Sequence, residues 1–283
     1  MKKIAVTFIA LIIHFSMHAN LYGQAIHVEV SGKGHPILFI PGFTVPGEVW
    51  EPVVKALEST YECHVITLAG FGGKEPIGFP WLPQVNEAIK DYIVSKDLQG
   101  ATIIGHSLGG TVATWLATQS DLSLAQLVLV DALPAAGALM FPDFNPDNLA
   151  YESPYNKQQL DMTDAAFEQM ATFMSKGMSI KEAEQKRIHT WMLEADRETY
   201  VYGYTDYLKL DMREGLKAIS IPVTIIAATN PYGEAMVRQT YTGQYANLND
   251  YSLVIAEDSA HFVMLDKPDW FMEQIQQILA SKK

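Results

Sequence analysis

The run Ala101-Thr102-Ile103-Ile104-Gly105-His106-Ser107-Leu108-Gly109-Gly110 constrains the fold of this chain more than any other stretch. Ala101 to Gly105 reads as a buried strand, and Thr111-Val112-Ala113-Thr114-Trp115-Leu116-Ala117 continues as a helix whose small residues suit close packing on a sheet. Between them lies Gly105-His106-Ser107-Leu108-Gly109, a G-x-S-x-G pattern. A turn this sharp holds its Ser in a strained φ/ψ region at the tip of the strand. The neighbours two residues before and two after then pass so close that only Gly fits, and Gly105 and Gly109 meet that requirement. Strand, turn and helix follow in the order an α/β fold needs.

These residues resemble the α/β-hydrolase superfamily, in its branch with a serine nucleophile and a helical lid. The resemblance runs from about Ile26 to the C-terminus and is weakest in the middle third. It implies a mostly parallel central sheet flanked by helices, with a helical insertion over one end. It also implies that two backbone N–H groups hold an oxyanion, at Leu108 and Phe43. Phe43 follows the hydrophobic strand Pro36-Ile37-Leu38-Phe39-Ile40 and the turn Pro41-Gly42. Many relatives carry His where this chain has Pro41, a change to which a backbone donor is indifferent. Val65-Ile66-Thr67-Leu68-Ala69-Gly70-Phe71-Gly72 resembles the next strand and its glycine turn, with Thr67 and Ala69 where relatives often have Asp and Arg.

In this family the order along the chain is Ser, acid, His. The base is expected at His261, in Ser259-Ala260-His261-Phe262, after the strand-like Tyr251-Ser252-Leu253-Val254-Ile255-Ala256 and before the helix led by Pro268. A neutral imidazole suits that task because its pKa lies near working pH. The acid usually follows Ile221-Pro222-Val223-Thr224-Ile225-Ile226-Ala227, but the residues there read Ala228-Thr229-Asn230-Pro231, with no carboxylate. Some members place the acid one strand earlier. That position is Asp131, after Leu127-Val128-Leu129-Val130, where the alternative is a plain turn cap. Glu234 is the second candidate acid, followed by Asp258 and Glu257.

Residues 1–24 stand apart. Lys2 and Lys3 precede the apolar run Ile4 to Phe15, too short to span a bilayer, and the stretch ends Leu21-Tyr22-Gly23-Gln24, so a secretory signal peptide is expected. The mature chain would carry 18 basic against 32 acidic side chains, which disfavours nucleic acid as a partner. The sole cysteine, Cys63, excludes an intramolecular disulfide and reads as a small core residue. No zinc spacing, dinucleotide fingerprint or phosphate loop is present, so no metal and no cofactor is expected.

The expected organisation is an α/β-hydrolase core at 25–132 and 218–283 and a helical lid at 133–217, with helical patterns at about 156–176 and 179–212. Thr163-Asp164 suits a helix start, and Phe167, Met170, Ala171 and Met174 share one face. Seven of the twelve Met fall in this segment, as does Tyr200-Val201-Tyr202-Gly203-Tyr204. The expected protein is an exported, periplasmic or secreted serine hydrolase acting on a small-molecule ester, thioester or lactone with an apolar part. The expected alternative is a ligand-binding or partner-binding protein that kept the fold and lost the chemistry, its motive being the missing carboxylate after Ala227. Neither substrate identity nor oligomeric state follows from the sequence.

Overall fold

The computed structural model describes residues 24–141 and 143–281; the expected signal peptide lies almost wholly outside them. Seven strands form one sheet: β1 (Ile26–Gly32), β2 (His35–Ile40), β3 (Tyr61–Leu68), β4 (Ala101–His106), β5 (Leu124–Val130), β6 (Val223–Ala228) and β7 (Ser252–Ala256). Their spatial order is β1-β3-β2-β4-β5-β6-β7, with β1 antiparallel to β3 and every other pair parallel. The central strands β4 and β5 are covered on both faces, which is why they read as continuous apolar runs rather than alternating ones. Alternate residues feed two cores, Leu38, Ile103, Leu127 and Ile225 on one side and Ile37, Ile104, Val128 and Ile226 on the other.

Helices cover both faces: α1 (Glu51–Leu57), α2 (Trp81–Ser95) and α3 (Leu108–Ala117) before the end of the sheet's first half, and α9 (Glu234–Gln244), α10 (Val263–Asp266) and α11 (Pro268–Ala280) after β6. Helix α3 is buried along nearly its whole length. Its Gly109 and Gly110 let it approach the sheet to within backbone contact. Cys63 is fully buried on β3 and burial pushes its thiol up to about 11, so it stays an unreactive core group.

Between β5 and β6 the chain leaves the sheet and forms α4 (Ala136–Met140), α5 (Pro154–Leu160), α6 (Asp164–Met178), α7 (Glu182–Glu194) and α8 (Tyr204–Lys209), with no strand among the described residues. Two long helical stretches were expected here, and each is broken. Asp161–Thr163 separates α5 from α6, where the Thr163 hydroxyl accepts from the Ala166 amide. After α7, Ala195 turns extended and Asp196 accepts from both the amide and the hydroxyl of Thr199, restarting the chain in a short π-helical turn, Thr199–Gly203. A short carboxylate side chain that captures a nearby amide competes with the helix ladder, and hydrophobic period alone does not register it.

The insertion is fastened to the core by buried polar contacts. Asp206 of α8 accepts the Trp81 and Leu82 amides at 2.7 and 3.1 Å, capping α2 from across the interface, and also accepts the Tyr151 hydroxyl. Within the insertion, the Met212 amide donates to the Pro134 carbonyl at 2.9 Å and so joins its two ends where they leave and rejoin the core. Among the described residues no helix is long and apolar enough to cross a membrane.

Candidate active site

Ser107 occupies the turn between β4 and α3 with φ 52° and ψ −121°, a left-handed conformation that a non-glycine residue adopts only under constraint. The constraint is local. A Cβ on Gly105 would lie 2.3 Å from the Gly109 carbonyl oxygen, and one on Gly109 would lie 2.2 Å from the Ile40 carbonyl oxygen. The Ser107 amide donates to the Val130 carbonyl at 2.9 Å, which ties the turn to the end of the neighbouring strand. One residue further along that strand lies Asp131, itself at φ 44°.

The His261 ring meets Asp131. Its Nδ1 donates to Asp131 Oδ2 at 2.7 Å, while Oδ1 accepts the Ala228 amide at 3.0 Å and the Tyr241 hydroxyl at 2.9 Å. Burial alone would raise the carboxyl of Asp131, but these three donors, His261 foremost, outweigh it and hold it below its ordinary value. Tyr241 responds in the opposite sense. Burial first, and the Asp131 charge beside it, push its phenol well above 10, so it remains a donor. Glu234 opens α9 and pairs with Arg238 Nε at 2.7 Å on an exposed turn. The structure therefore brings Asp131, not Glu234, to His261.

Phe43 lies in the turn after β2, next to Gly42, where an added Cβ would come within 3.3 Å of the Ser107 Cβ, and Leu108 is the first residue of α3. Among the described residues neither the Phe43 nor the Leu108 amide donates a hydrogen bond to another protein group. The Phe43 ring packs against Phe71, Trp81, Tyr200 and Tyr204, at centroid distances from 4.9 to 6.1 Å. Tyr200 and Tyr204 come from the insertion, and their hydroxyls meet the sulfurs of Met174 and Met140 at 3.6 Å each. The surroundings of the Phe43 ring are thus aromatic and thioether.

Three further residues belong to this neighbourhood, and of these sequence reasoning draws attention only to His106, beside Ser107 in the turn. His106 is fully buried. Its Nε2 donates to the His261 carbonyl at 3.0 Å, and its Nδ1 has no partner and faces Gly42, where a Cβ would sit 2.8 Å away. Burial, reinforced by His261, pushes the His106 pKa down to about 3, so the ring is neutral. Tyr207 of α8 is buried, with its phenol near Thr111 and Ser107. Tyr241 is the third. The repeat Tyr200, Tyr204, Tyr207 at helical spacing was the available signal for Tyr207; nothing in the sequence marks Tyr241. Of the side chains left open, Trp191 packs near Phe262 and donates to Glu48 Oε1 at 2.9 Å, and His189 Nε2 is buried without a partner. Among the described residues no three His, Cys, Asp or Glu side chains are grouped to hold a metal ion.

A strained Ser at a strand tip, a His joined to a buried carboxylate on the adjacent strand, and two idle amides define a hydrolase-type α/β protein. The chain belongs to the alpha/beta hydrolase family, whose model matches residues 37–274. It is similar to a pimeloyl-[acyl-carrier protein] methyl ester esterase of Vibrio cholerae, 23% identical over 259 residues that cover 89% of this chain and 97% of that protein. It is also similar to 3-oxoadipate enol-lactonase 1 of Acinetobacter baylyi, 23% identical over 265 residues covering 92% and 95% of the two chains. An esterase structure from Exiguobacterium antarcticum shares the fold with a TM-score of 0.75 at 18% identity, over 91% of this chain and 98% of that one.

Proposed function

We propose that the protein is an exported serine hydrolase that cleaves a carboxylic ester, thioester or lactone with an apolar part through an acyl-enzyme. The observation that carries this reading is the contact between His261 Nδ1 and Asp131 Oδ2 beside a Ser held in a strained turn. In the proposed sequence Ser107 Oγ attacks the carbonyl carbon while its proton passes to His261 Nε2, and Asp131 stabilises the imidazolium. The Phe43 and Leu108 amides donate hydrogen bonds to the carbonyl oxygen as negative charge develops on it. The carbonyl–oxygen or carbonyl–sulfur bond then breaks and the leaving group takes the proton from His261. Water, activated by the same His, releases the acid.

The names of the two relatives, a methyl ester esterase and an enol-lactonase, favour ester and lactone substrates. The Phe43, Tyr200, Tyr204, Met140 and Met174 wall favours an apolar group on the substrate, and the helices between β5 and β6 serve in this reading as the lid that excludes water. Export rests on the composition of residues 1–24. The binding-protein alternative drew on the missing carboxylate after Ala227, and the Asp131–His261 contact, which offers a carboxylate from the strand before, weighs against it.

The test is mass-spectrometric detection of a fluorophosphonate adduct, with an ester and lactone panel run in parallel. We expect one adduct per chain, on Ser107, and turnover of at least one neutral ester or lactone. A folded protein that neither labels nor turns over any of the panel would favour the binding protein. A Ser107→Ala variant with full activity would remove Ser107 from the mechanism.

A further inference from the structure

Ala260-His261-Phe262 is held at three backbone groups, each by a different part of the chain. The Ala260 amide donates to Asp266 Oδ2 at 2.7 Å, the His261 carbonyl accepts from His106 Nε2 at 3.0 Å, and the Phe262 amide donates to the Met178 carbonyl at 3.1 Å. Met178 ends α6 in the insertion, and the residues after it reach the same loop. The Ser179 hydroxyl donates to Asp266 Oδ1, and the Ile180 amide donates to that oxygen at 3.1 Å. Lys181 Nζ adds a bond of 2.9 Å to the Leu265 carbonyl. Asp266 therefore gives one oxygen to the histidine loop and the other to the insertion. Asp266 and Ser179 are 5% and 2% exposed, so water does not compete for these bonds.

We infer that Asp266 is a positioning residue that couples the turn at Met178–Lys181 of the insertion to the loop carrying His261. The inference rests on His261 being the base. A proton relay between Ser107 Oγ and His261 Nε2 demands placement within a fraction of an ångström, and a misplacement of about 1 Å costs on the order of 100-fold. Losing an acceptor at Asp266 leaves an amide unpaired, either the buried one of Ala260 or the part-buried one of Ile180, and the loop must relax to satisfy it. The insertion then does more than cover the site. A shift of its turn is transmitted to His261 through one carboxylate.

The same bonds could serve stability alone, and that role would lower the melting temperature without changing the rate of each correctly folded site. The experiment therefore counts sites by fluorophosphonate labelling of the full chain and measures kcat and KM per labelled site with p-nitrophenyl butyrate. Asp266→Asn replaces one acceptor oxygen by a donor and loses one half of the coupling whichever way the amide turns. We expect kcat per site to fall about 10- to 100-fold with KM within about twofold. Ser179→Ala removes a single bond on the insertion side, is the milder change to folding, and is expected to lower kcat per site about three- to tenfold. Unchanged kcat per site in folded Asp266→Asn, or in Ser179→Ala, would overturn the coupling, as would a change confined to KM. A His261→Ala variant that labels as fast as the parent would instead overturn the base assignment, a failure visible separately from the other.

Discussion

Ser107 and His261 are mounted in opposite ways. Ser107 is held chiefly by its own turn, where Gly105 and Gly109 pass at distances at which no Cβ fits, with the Ile40 and Val130 carbonyls of the two neighbouring strands closing against it. His261 lies on a loop after β7, and its neighbours come from 130 and 155 positions earlier in the chain, at Asp131 and His106, as well as from the insertion at Met178. A local mount has one geometry and fails outright when it is disturbed. A distributed mount shares its load among several weak contacts and fails by degrees, each loss costing part of the placement.

The largest effect is expected at the local mount. In Gly105→Ala the new methyl would lie 2.3 Å from a backbone oxygen and 2.5 Å from its carbon, with no flexible side chain to give way. Fluorophosphonate labelling should vanish, and urea unfolding should show a loss of more than about 3 kcal/mol. Ordinary labelling in that variant would break the comparison at once. Next is the strongest single contact of the distributed mount. Asp131→Asn keeps an oxygen for the Ala228 amide and the Tyr241 hydroxyl but turns an N–H toward His261 Nδ1, which favours the wrong tautomer. We expect kcat to fall about 1,000- to 10,000-fold with the urea midpoint near that of the parent. A drop below tenfold would move the acid elsewhere.

The same contrast explains what the sequence made legible. The sheet and the turn at Ser107 follow from contiguous patterns, namely apolar runs of strand length, paired glycines and a helix of small residues, whereas Phe43 and Leu108 came only from the resemblance to the family. Asp131 was legible only through chain order and the empty place at Ala228-Thr229-Asn230-Pro231. Tyr241, His106 and Asp266 were not, because their roles are contacts between segments remote in sequence, and a lone Tyr or Asp in a helix reads identically whether it faces water or a catalytic carboxylate. The insertion fell between these cases. Its helical character is written in Phe167, Met170, Ala171 and Met174, but the breaks at Asp161 and Ala195 depend on single capping side chains, Thr163 and Asp196.

Tyr241→Phe touches the distributed mount at one of its weaker points. It removes one of the two bonds on Asp131 Oδ1 and leaves the Ala228 amide in place, so the carboxylate keeps its orientation with less restraint. Turnover should fall about three- to tenfold and stability by about 1 kcal/mol, measured by steady-state kinetics and urea unfolding. Full loss of activity would mean that the mount is not distributed at all.

The smallest change in turnover at neutral pH is expected for His106→Gln, because a Gln amide can still donate to the His261 carbonyl. Its signature is in stability against pH. Burial, with the His261 charge adding to it, holds His106 at about 3, against an ordinary value of 6.5. Above about pH 6.5 neither the folded nor the unfolded chain protonates this ring and it contributes nothing. As pH falls from about 6.5 toward 3 the unfolded chain takes up a proton that the folded chain refuses, and stability drops by up to about 1.4 kcal/mol per pH unit. Gln does not titrate, so urea midpoints at pH 7, 5.5 and 4.5 should fall less steeply in the variant. A residual slope remains from His64, which burial also lowers while its bond to Glu62 opposes the shift. Asp131, held below its ordinary 3.8, begins to contribute only beneath this window, where folded and unfolded carboxylates part. An unchanged slope between pH 7 and 4.5 would mean that His106 takes up its proton in the folded protein, and a charged ring beside His261 could not serve as a neutral strut for its carbonyl.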